Sequence, residues 1–159
     1  MVELEYVKIF DNSIKVLLPI CSKDVSVDVA RLKYPSALRP QIIKCNPEGT
    51  VDFTFNQMQQ DIPEEYLLVF LNMIRSNMMK QHSGVRFLTK EAEAGEQKNV
   101  VWTEYEMPAI NGVSYYVMGI VKINQSIVQA VYNCDTRNKE EWKRIMLRSI
   151  NSIRSVIYE

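Results

Sequence analysis

Apolar side chains recur at every second position over much of the stretch from Val100 to Cys134. Successive side chains of a strand point to opposite sides of a sheet, so this period predicts strands with one side on a core. Asn111-Gly112 separates two of these strands, and a glycine able to adopt positive φ favours a hairpin there. Asn124-Gln125-Ser126 marks the next reversal, and Val85 to Lys90 adds a strand. We therefore predict an antiparallel meander of about four strands.

Two other stretches follow the helical period. In the first, Asp61 and Glu64 form a capping-box-like pair, and Pro63 stands in the first turn, where its missing N–H costs nothing. Apolar residues then recur at spacings of three and four, at Leu67, Phe70, Leu71, Ile74 and Met78. The second stretch predicts a helix from about Asn138 to Ser155, with Asn138 and Glu141 as caps. Its buried face comprises Trp142, Met146, Ser149, Ile150, Ile153 and Ile157.

Alternating stretches at residues 14–18 and 51–55 precede the first helix, so the order of elements is strands, helix, strands and helix. Blocks of antiparallel strands interrupted by helices are typical of α+β folds in which helices cover a sheet. We therefore predict a single antiparallel sheet of about six or seven strands flanked by helices. The 159 residues contain no Pro-, Gly- or Ser-rich linker, which favours a single domain over residues 1–159.

Composition argues against several classes of function. The chain has 19 basic and 19 acidic residues and lacks the basic excess expected of a nucleic-acid-binding protein. Its single histidine, and three cysteines without CxxC spacing, argue against a metal site and a disulfide framework, so we predict neither metal nor cofactor. The longest strongly apolar run, Tyr66 to Leu71, is too short to span a membrane. Residues 1–5 are acidic and lack the features of an export signal, and we predict a cytoplasmic location with reduced cysteines.

Three features could support chemistry but have simpler structural interpretations. His82 lies at the end of the first helix, where the helix dipole favours a surface histidine. A group of carboxylates could bind a cation or serve acid–base chemistry, although a solvated hairpin edge explains it more simply. Its members are Glu91, Glu93, Glu96, Glu104 and Glu106. Gly119 interrupts the best strand, which indicates either a bulge or a helix packed closely over the sheet.

Several stretches spread along the chain carry a family resemblance. They are Phe10-Asp11-Asn12-Ser13-Ile14-Lys15-Val16-Leu17-Leu18-Pro19, Gly112-Val113-Ser114-Tyr115-Tyr116, Tyr132-Asn133-Cys134, Glu141-Trp142 and Ser149-Ile150. Together they resemble the PsbP-like fold superfamily, which includes an extrinsic photosystem subunit, a Ran-binding nuclear import factor, DcrB-type bacterial proteins and secretion effector chaperones. The resemblance implies an α+β domain that binds other proteins or assists assembly. The segment from Val25 to Pro40 matches no element of that fold.

The first helix carries more apolar surface than one sheet face can cover. Its predicted core stripe centres on Ile74. The apolar residues outside this stripe are Tyr66, Val69 and Met73 on one flank, and Leu68 and Met79 near the opposite side. They could pack against an intrachain neighbour, for which the unplaced segment at residues 25–40 is the natural candidate. They could instead contact a partner or a second copy, and flexible methionines suit such a surface.

Two functions are compatible with these features. The first is a non-enzymatic, cytoplasmic protein-binding module that acts as an adaptor, chaperone or immunity-type partner through its sheet or first helix. The second is a small enzyme or small-molecule binder that uses Tyr115, Tyr116 or Tyr132 with a cysteine in a pocket between sheet and helix. Because one histidine without a catalytic motif is an unusual basis for catalysis, we favour binding to a protein partner or self-association.

Overall fold

The computed structural model describes residues 2–35 and 39–156. The helices in this part of the chain are α1 (Val27–Lys33), α2 (Leu67–Gln81) and α3 (Lys139–Ser152). The strands in the first half are β1 (Leu4–Ile9), β2 (Ile14–Pro19), β3 (Lys23–Asp24), β4 (Ile42–Cys45) and β5 (Asp52–Met58). The later strands are β6 (Arg86–Phe87), β7 (Glu93–Ala94), β8 (Val100–Ala109), β9 (Gly112–Ile123), β10 (Ser126–Asp135) and β11 (Arg154–Ser155).

Eight of the described strands form one main sheet, in the order β3-β4-β5-β10-β9-β8-β6, with β7 also pairing with β8. All of its pairs are antiparallel. Strands β6, β8, β9 and β10 correspond to the predicted four-stranded meander, although the strand predicted at Val85 to Lys90 is only the two-residue β6. Strands β1, β2 and β11 form a separate three-stranded antiparallel sheet. The predicted α+β architecture is confirmed. The strand count differs because short strands extend the main sheet and the first two long strands form the second sheet.

One face of the main sheet is covered by α3 and the three-stranded sheet. Phe53 and Tyr132 of the main sheet lie edge to face with ring centroids 4.9 Å apart, and the Trp142 ring of α3 lies 6.5 Å from Phe53. Gly119 lies beneath α3, since a Cβ atom there would be 2.5 Å from Ile150 Cγ2. The ladder through Gly119 is continuous on both sides. Close packing of the helix, and not a bulge, therefore explains this glycine.

The ends of α3 differ from the prediction. The Asn138 side chain does not cap the helix; a 3-10 turn over Thr136–Asn138 precedes it, and Asp135 accepts a hydrogen bond from the Arg137 backbone N–H. The helix ends at Ser152, before the predicted Ser155, because the chain becomes extended at Ile153 and then pairs with β2. Ile153 is buried as predicted. Ile157, predicted on the same face, lies outside the described residues.

The opposite face of the main sheet is covered in part by α2. Leu67, Leu71 and Arg75 are its buried residues. The half-buried residues beside them are Phe70, Ile74 and Met78. The buried stripe therefore centres on Leu71, and the predicted centre at Ile74 is wrong. The prediction counted only apolar residues, and so it left out the buried side chain of Arg75, which shifts the centre towards Leu71.

The predicted Asp61–Glu64 capping pair is also wrong. A 3-10 turn over Glu64–Tyr66 precedes α2, and no side chain caps that turn. Asp61 instead forms an ion pair with Lys122, with 3.0 Å between Oδ1 and Nζ. This ion pair connects the segment before α2 to β9 of the main sheet.

The unplaced segment at residues 25–40 contains α1, which the sequence did not predict. The Ser26 side chain caps this helix by accepting a hydrogen bond from Val29 N–H. At the end of the helix, Lys33 Nζ lies 3.1 Å from Asp52 Oδ1, and the hydroxyl of the next residue, Tyr34, donates to Asp52 Oδ2 at 2.9 Å. The segment is therefore anchored on β5. Its described residues, 25–35 and 39–40, do not cover the apolar surface of α2, whose predicted flank residues are exposed.

Candidate protein-binding surface

The side of α2 opposite Leu71 points away from the main sheet. At 100° per residue, this side comprises Tyr66, Val69, Met73, Ser76 and Lys80, which we call the outward face. Tyr66, Val69 and Met73 are 57%, 56% and 60% exposed. Ser76 and Lys80 are exposed as well. The structure therefore brings three of the five predicted site residues together on one solvent-facing strip.

The other two predicted site residues lie elsewhere on α2. Leu68 and Met79 are 39% and 53% exposed, and helical geometry places them on the same side as Arg75. That side faces the segment between β6 and β7, where the Asn72 side chain accepts a hydrogen bond from Ala92 N–H. Leu68 and Met79 are thus on a flank of α2, apart from the outward face.

The exposed surface of α2 is uncharged over most of its length. Between Glu65 and Lys80, all of which the structure describes, Arg75 is the only charged residue, and it is buried. A surface helix normally carries charged or polar side chains on the side away from its core. On α2 that side instead combines an aromatic, a branched and a thioether side chain with Ser76, and its charged residue, Lys80, lies only in the last turn.

Arg75 fixes the rotation of α2 and thereby decides which side faces outward. Its side chain is 4% exposed. Nη1 donates to Thr103 Oγ1 at 2.9 Å, Nη2 donates to the Thr89 carbonyl oxygen at 2.6 Å, and the guanidinium lies 4.4 Å from the Phe87 ring centroid. Burial lowers the pKa of Arg75, an effect opposed by the nearby carboxylates of Glu91 and Glu93. The sequence contains a pattern that could have predicted the burial of Arg75. Residues 67, 71 and 75 are spaced by four, which places Arg75 on the same side of the helix as Leu67 and Leu71.

Two of the features with simpler interpretations lie where the sequence predicts. His82 is exposed at the C-terminal end of α2. Glu91, Glu93 and Glu96 are exposed beside β7. Among residues 2–35 and 39–156, no three His, Cys, Asp or Glu side chains are grouped so that they could hold a metal ion.

Glu104 and Glu106 contradict the prediction of a solvated edge, because both are buried on the α3 side of β8. Glu104 accepts hydrogen bonds from the Tyr115 hydroxyl at 3.0 Å and from Lys143 Nζ at 2.8 Å. Glu106 accepts hydrogen bonds from Thr136 and Arg86. A further cation, Lys139 Nζ, lies 3.6 Å from Glu106. The prediction fails because most of these partners belong to α3 and the turn before it, more than 25 residues away.

The tyrosines considered for catalysis, and two of the three cysteines, lie in or against the core, whereas Cys21 is exposed. Tyr115 and Tyr132 are fully buried; the Tyr115 hydroxyl is bonded to Glu104 and the Tyr132 hydroxyl to Ser149 at 2.8 Å. Tyr116 is half-buried and stacks on Tyr105 with ring centroids 4.9 Å apart. Burial raises the pKa of the Cys134 thiol to about 12. A thiol with such a pKa is protonated and poorly nucleophilic near neutral pH.

Several solved structures have a fold similar to that of this chain. No family model matches the chain, and no curated protein matches its sequence. Among solved structures, cyanobacterial PsbP (CyanoP) from Synechocystis sp. PCC 6803 is similar with a TM-score of 0.64 at 10% identity, covering 98% of this chain and 94% of that one. The Ran-binding protein Mog1p of Saccharomyces cerevisiae gives 0.60 at 7% identity, covering 96% and 95%. LpqN of Mycobacterium tuberculosis, involved in cell envelope biogenesis, gives 0.61 at 10% identity, covering 97% and 91%.

These likenesses define the chain as an α+β domain with the PsbP-like fold. The resemblance seen in the sequence is therefore confirmed at the level of the fold. In the described part of the chain, no helix is both long enough and apolar enough to cross a membrane.

Proposed function

We propose that this protein is a non-enzymatic binding module that docks another polypeptide on the outward face of α2. The observation that carries the proposal is the exposed surface of α2 between Glu65 and Lys80, which is uncharged and on which Tyr66, Val69 and Met73 are each more than half exposed. A partner that covered these side chains would remove apolar area from water without desolvating a charge. The role would be that of an adaptor, chaperone or immunity-type partner.

The residue types on the outward face suit a binding surface. Tyrosine is enriched at the energetic centres of protein interfaces, because a large rigid ring is buried at little cost in side-chain entropy. Methionine adapts its shape to different partners. Contiguous exposed apolar patches of this kind are typical of interaction sites.

The fold is compatible with such a role. Mog1p, which has a similar fold, is a Ran-binding protein. This supports protein interaction as one function of PsbP-like domains. Because a fold alone does not specify a function, the proposal for this chain depends on the outward face of α2.

The burial of reactive side chains supports the non-enzymatic part of the proposal. Tyr115 and Tyr132 are inaccessible, and their hydroxyl groups already have hydrogen-bond partners. The raised pKa of Cys134 leaves its thiol without nucleophilic character near neutral pH. These side chains are thus explained by the packing of the core.

The cysteines support a cytoplasmic location, which forms part of the proposal. Cys21, Cys45 and Cys134 are free thiols. Disulfides form mainly in oxidising compartments, whereas free thiols persist in a reducing cytoplasm.

A capture experiment with matched surface variants tests the binding surface. Immobilised Val69→Asp and Met73→Asp should each capture less of the proteins that the parent retains from a native lysate. Leu32→Asp is the matched control, since Leu32 is 82% exposed on α1 and the charge change is the same. All three variants should melt close to the parent, because water solvates the new carboxylates.

Three results would contradict the proposal. The first is capture by the α2 variants equal to that of the parent. The second is a loss of capture by Leu32→Asp equal to that of the α2 variants. The third is a large fall in melting temperature for Val69→Asp and Met73→Asp alone, which would show these residues to be part of the core.

A further inference from the structure

We infer that the outward face of α2 binds a second copy of this chain, as an antiparallel pair of α2 helices related by a two-fold axis. This inference rests on the proposed function, because it assigns a partner to the same surface.

The outward face has the spacing of a helix–helix seam. Tyr66, Val69, Met73, Ser76 and Lys80 follow one another at intervals of three, four, three and four residues. This is the a/d pattern of a heptad, which keeps one narrow strip of a helix against a second helix. The strip runs nearly the full length of α2, from the residue before the helix to Lys80.

Side-chain sizes select an antiparallel register. In such a pair, a positions of one helix lie level with d positions of the other. Tyr66 of one copy then faces Ser76 of the second, and Val69 faces Met73. The large ring is placed opposite the small hydroxyl, and the two mid-sized side chains fill the central layers. Each contact occurs twice, as an interface with two-fold symmetry requires.

The charges at the two ends of the seam are complementary in the same arrangement. Glu64 and Glu65 lie in the turn before α2, and Lys80 lies in its last turn. All three are exposed. Antiparallel helices bring the acidic end of one copy beside Lys80 of the other, and the uncharged strip lies between the two ends. A parallel pair would instead place like charges together at both ends.

The expected dimer is weak. One pair of helices of this length covers less than the roughly 1,600 Å² of a standard interface. We therefore expect a dissociation constant on the order of 10–100 µM, to be measured by sedimentation of the full chain over a concentration range that spans it.

Disulfide trapping tests the register. In a Cys21→Ser background, which removes the exposed thiol, we prepare Val69→Cys and Met73→Cys variants. Upon mild oxidation, an equimolar mixture should form a mixed cross-linked dimer, since residues 69 and 73 share a layer. Each variant alone should cross-link poorly. A parallel pair would give the reverse, with each variant linking to itself.

Charge reversal tests the end contacts. Lys80→Glu should raise the dissociation constant about tenfold, because two symmetry-related attractive contacts become repulsive. The triple variant Glu64→Lys, Glu65→Lys, Lys80→Glu has the charges exchanged and should self-associate about as well as the parent. Leu32→Asp serves again as the control that leaves association unchanged.

A parent chain that remains monomeric throughout this range, or a mixture that fails to cross-link, overturns the inference. The proposed function has its own readout, namely loss of heterologous partners by Val69→Asp and Met73→Asp. A monomer whose captured partners depend on these residues would refute self-association and leave the binding module intact. Loss of both readouts would refute both.

Discussion

At the scale of single residues, Gly119 sets the distance between α3 and the main sheet. It lies on β9 between Trp102 of β8 and Ala130 of β10. Three carbon atoms of Ile150 lie within 3.1 Å of the position that a Cβ atom would take. Since real Cβ atoms are not found so close to their neighbours, a larger residue here would push α3 away from the sheet.

We expect Gly119→Ala to lower the free energy of unfolding by about 1–3 kcal/mol, because the added methyl group overpacks the core. Urea unfolding measures this change. Ile150→Ala alone should also destabilise, since it leaves a cavity. In the double variant the new methyl group occupies part of that cavity, so the combined loss should be smaller than the sum of the single losses. Simple additivity would show that Gly119 is not in contact with α3.

At the scale of elements, buried charges orient the helices on the sheet. The start of α3 and the turn before it are tied to β8 through Lys143 with Glu104, and through Thr136 and Lys139 with Glu106. Each carboxylate is 5% exposed and therefore depends on these partners. On the other face of the sheet, Arg75 orients α2 in the same way, through hydrogen bonds to neutral acceptors on Thr89 and Thr103.

Acidification should weaken the attachment of α3 to β8. The hydrogen bond from Thr136, with help from Arg86 and Lys139, lowers the pKa of Glu106. The folded-state pKa thus lies below the unfolded value of about 4.3, so the ionised carboxylate stabilises the fold above that value. This contribution is lost as pH falls through the folded-state pKa.

The stability difference between the parent and Glu106→Gln should therefore be large near neutral pH and shrink in acid. Urea unfolding at a series of pH values from about 7 to about 3 measures it. Glu96→Gln, at an exposed carboxylate, is the matched control and should leave the free energy of unfolding almost unchanged. A constant difference for Glu106→Gln would show that its carboxylate does not contribute through ionisation.

At the scale of the whole molecule, the main sheet separates two cores. One lies between the sheet and α3 with the three-stranded sheet, and the other lies beneath α2. Cys45 and Cys134 are buried, whereas Cys21 is exposed in the link between the two sheets. The thiols therefore report on the integrity of the fold.

Thiol titration should find one reactive cysteine in the native protein, namely Cys21, and three after denaturation. Burial protects the other two, and a pKa raised to about 12 keeps the Cys134 thiol protonated. With protein prepared without reductant, fewer than three thiols after denaturation would reveal a disulfide and contradict the proposed reducing location. Rapid reaction of Cys134 in the native state would contradict its place in the core.

The sequence by itself determined the elements that depend on local periods. Alternation along β9 and β10, the Asn111-Gly112 turn and the one-sided pattern of α3 all depend on neighbours within a few residues of each other. The surplus of apolar residues on α2 was also evident, since it is a property of one helix. The sequence therefore predicts Tyr66, Val69 and Met73 as candidate binding residues without knowledge of their surroundings.

Only the tertiary structure decided which side chains meet across long distances in the chain. From the sequence alone, Glu104 is expected to be an exposed residue of a strand. In the structure it is buried, and Lys143 of α3 donates a hydrogen bond to it. From the sequence alone, Arg75 is expected on the surface, because it is charged. In the structure it is buried, and Thr89 and Thr103 accept its hydrogen bonds. A buried charge is tolerated only where its partners are brought to it, and those partners are set by the packing of separate elements. The same packing turned Tyr66, Val69 and Met73 away from the sheet and into solvent.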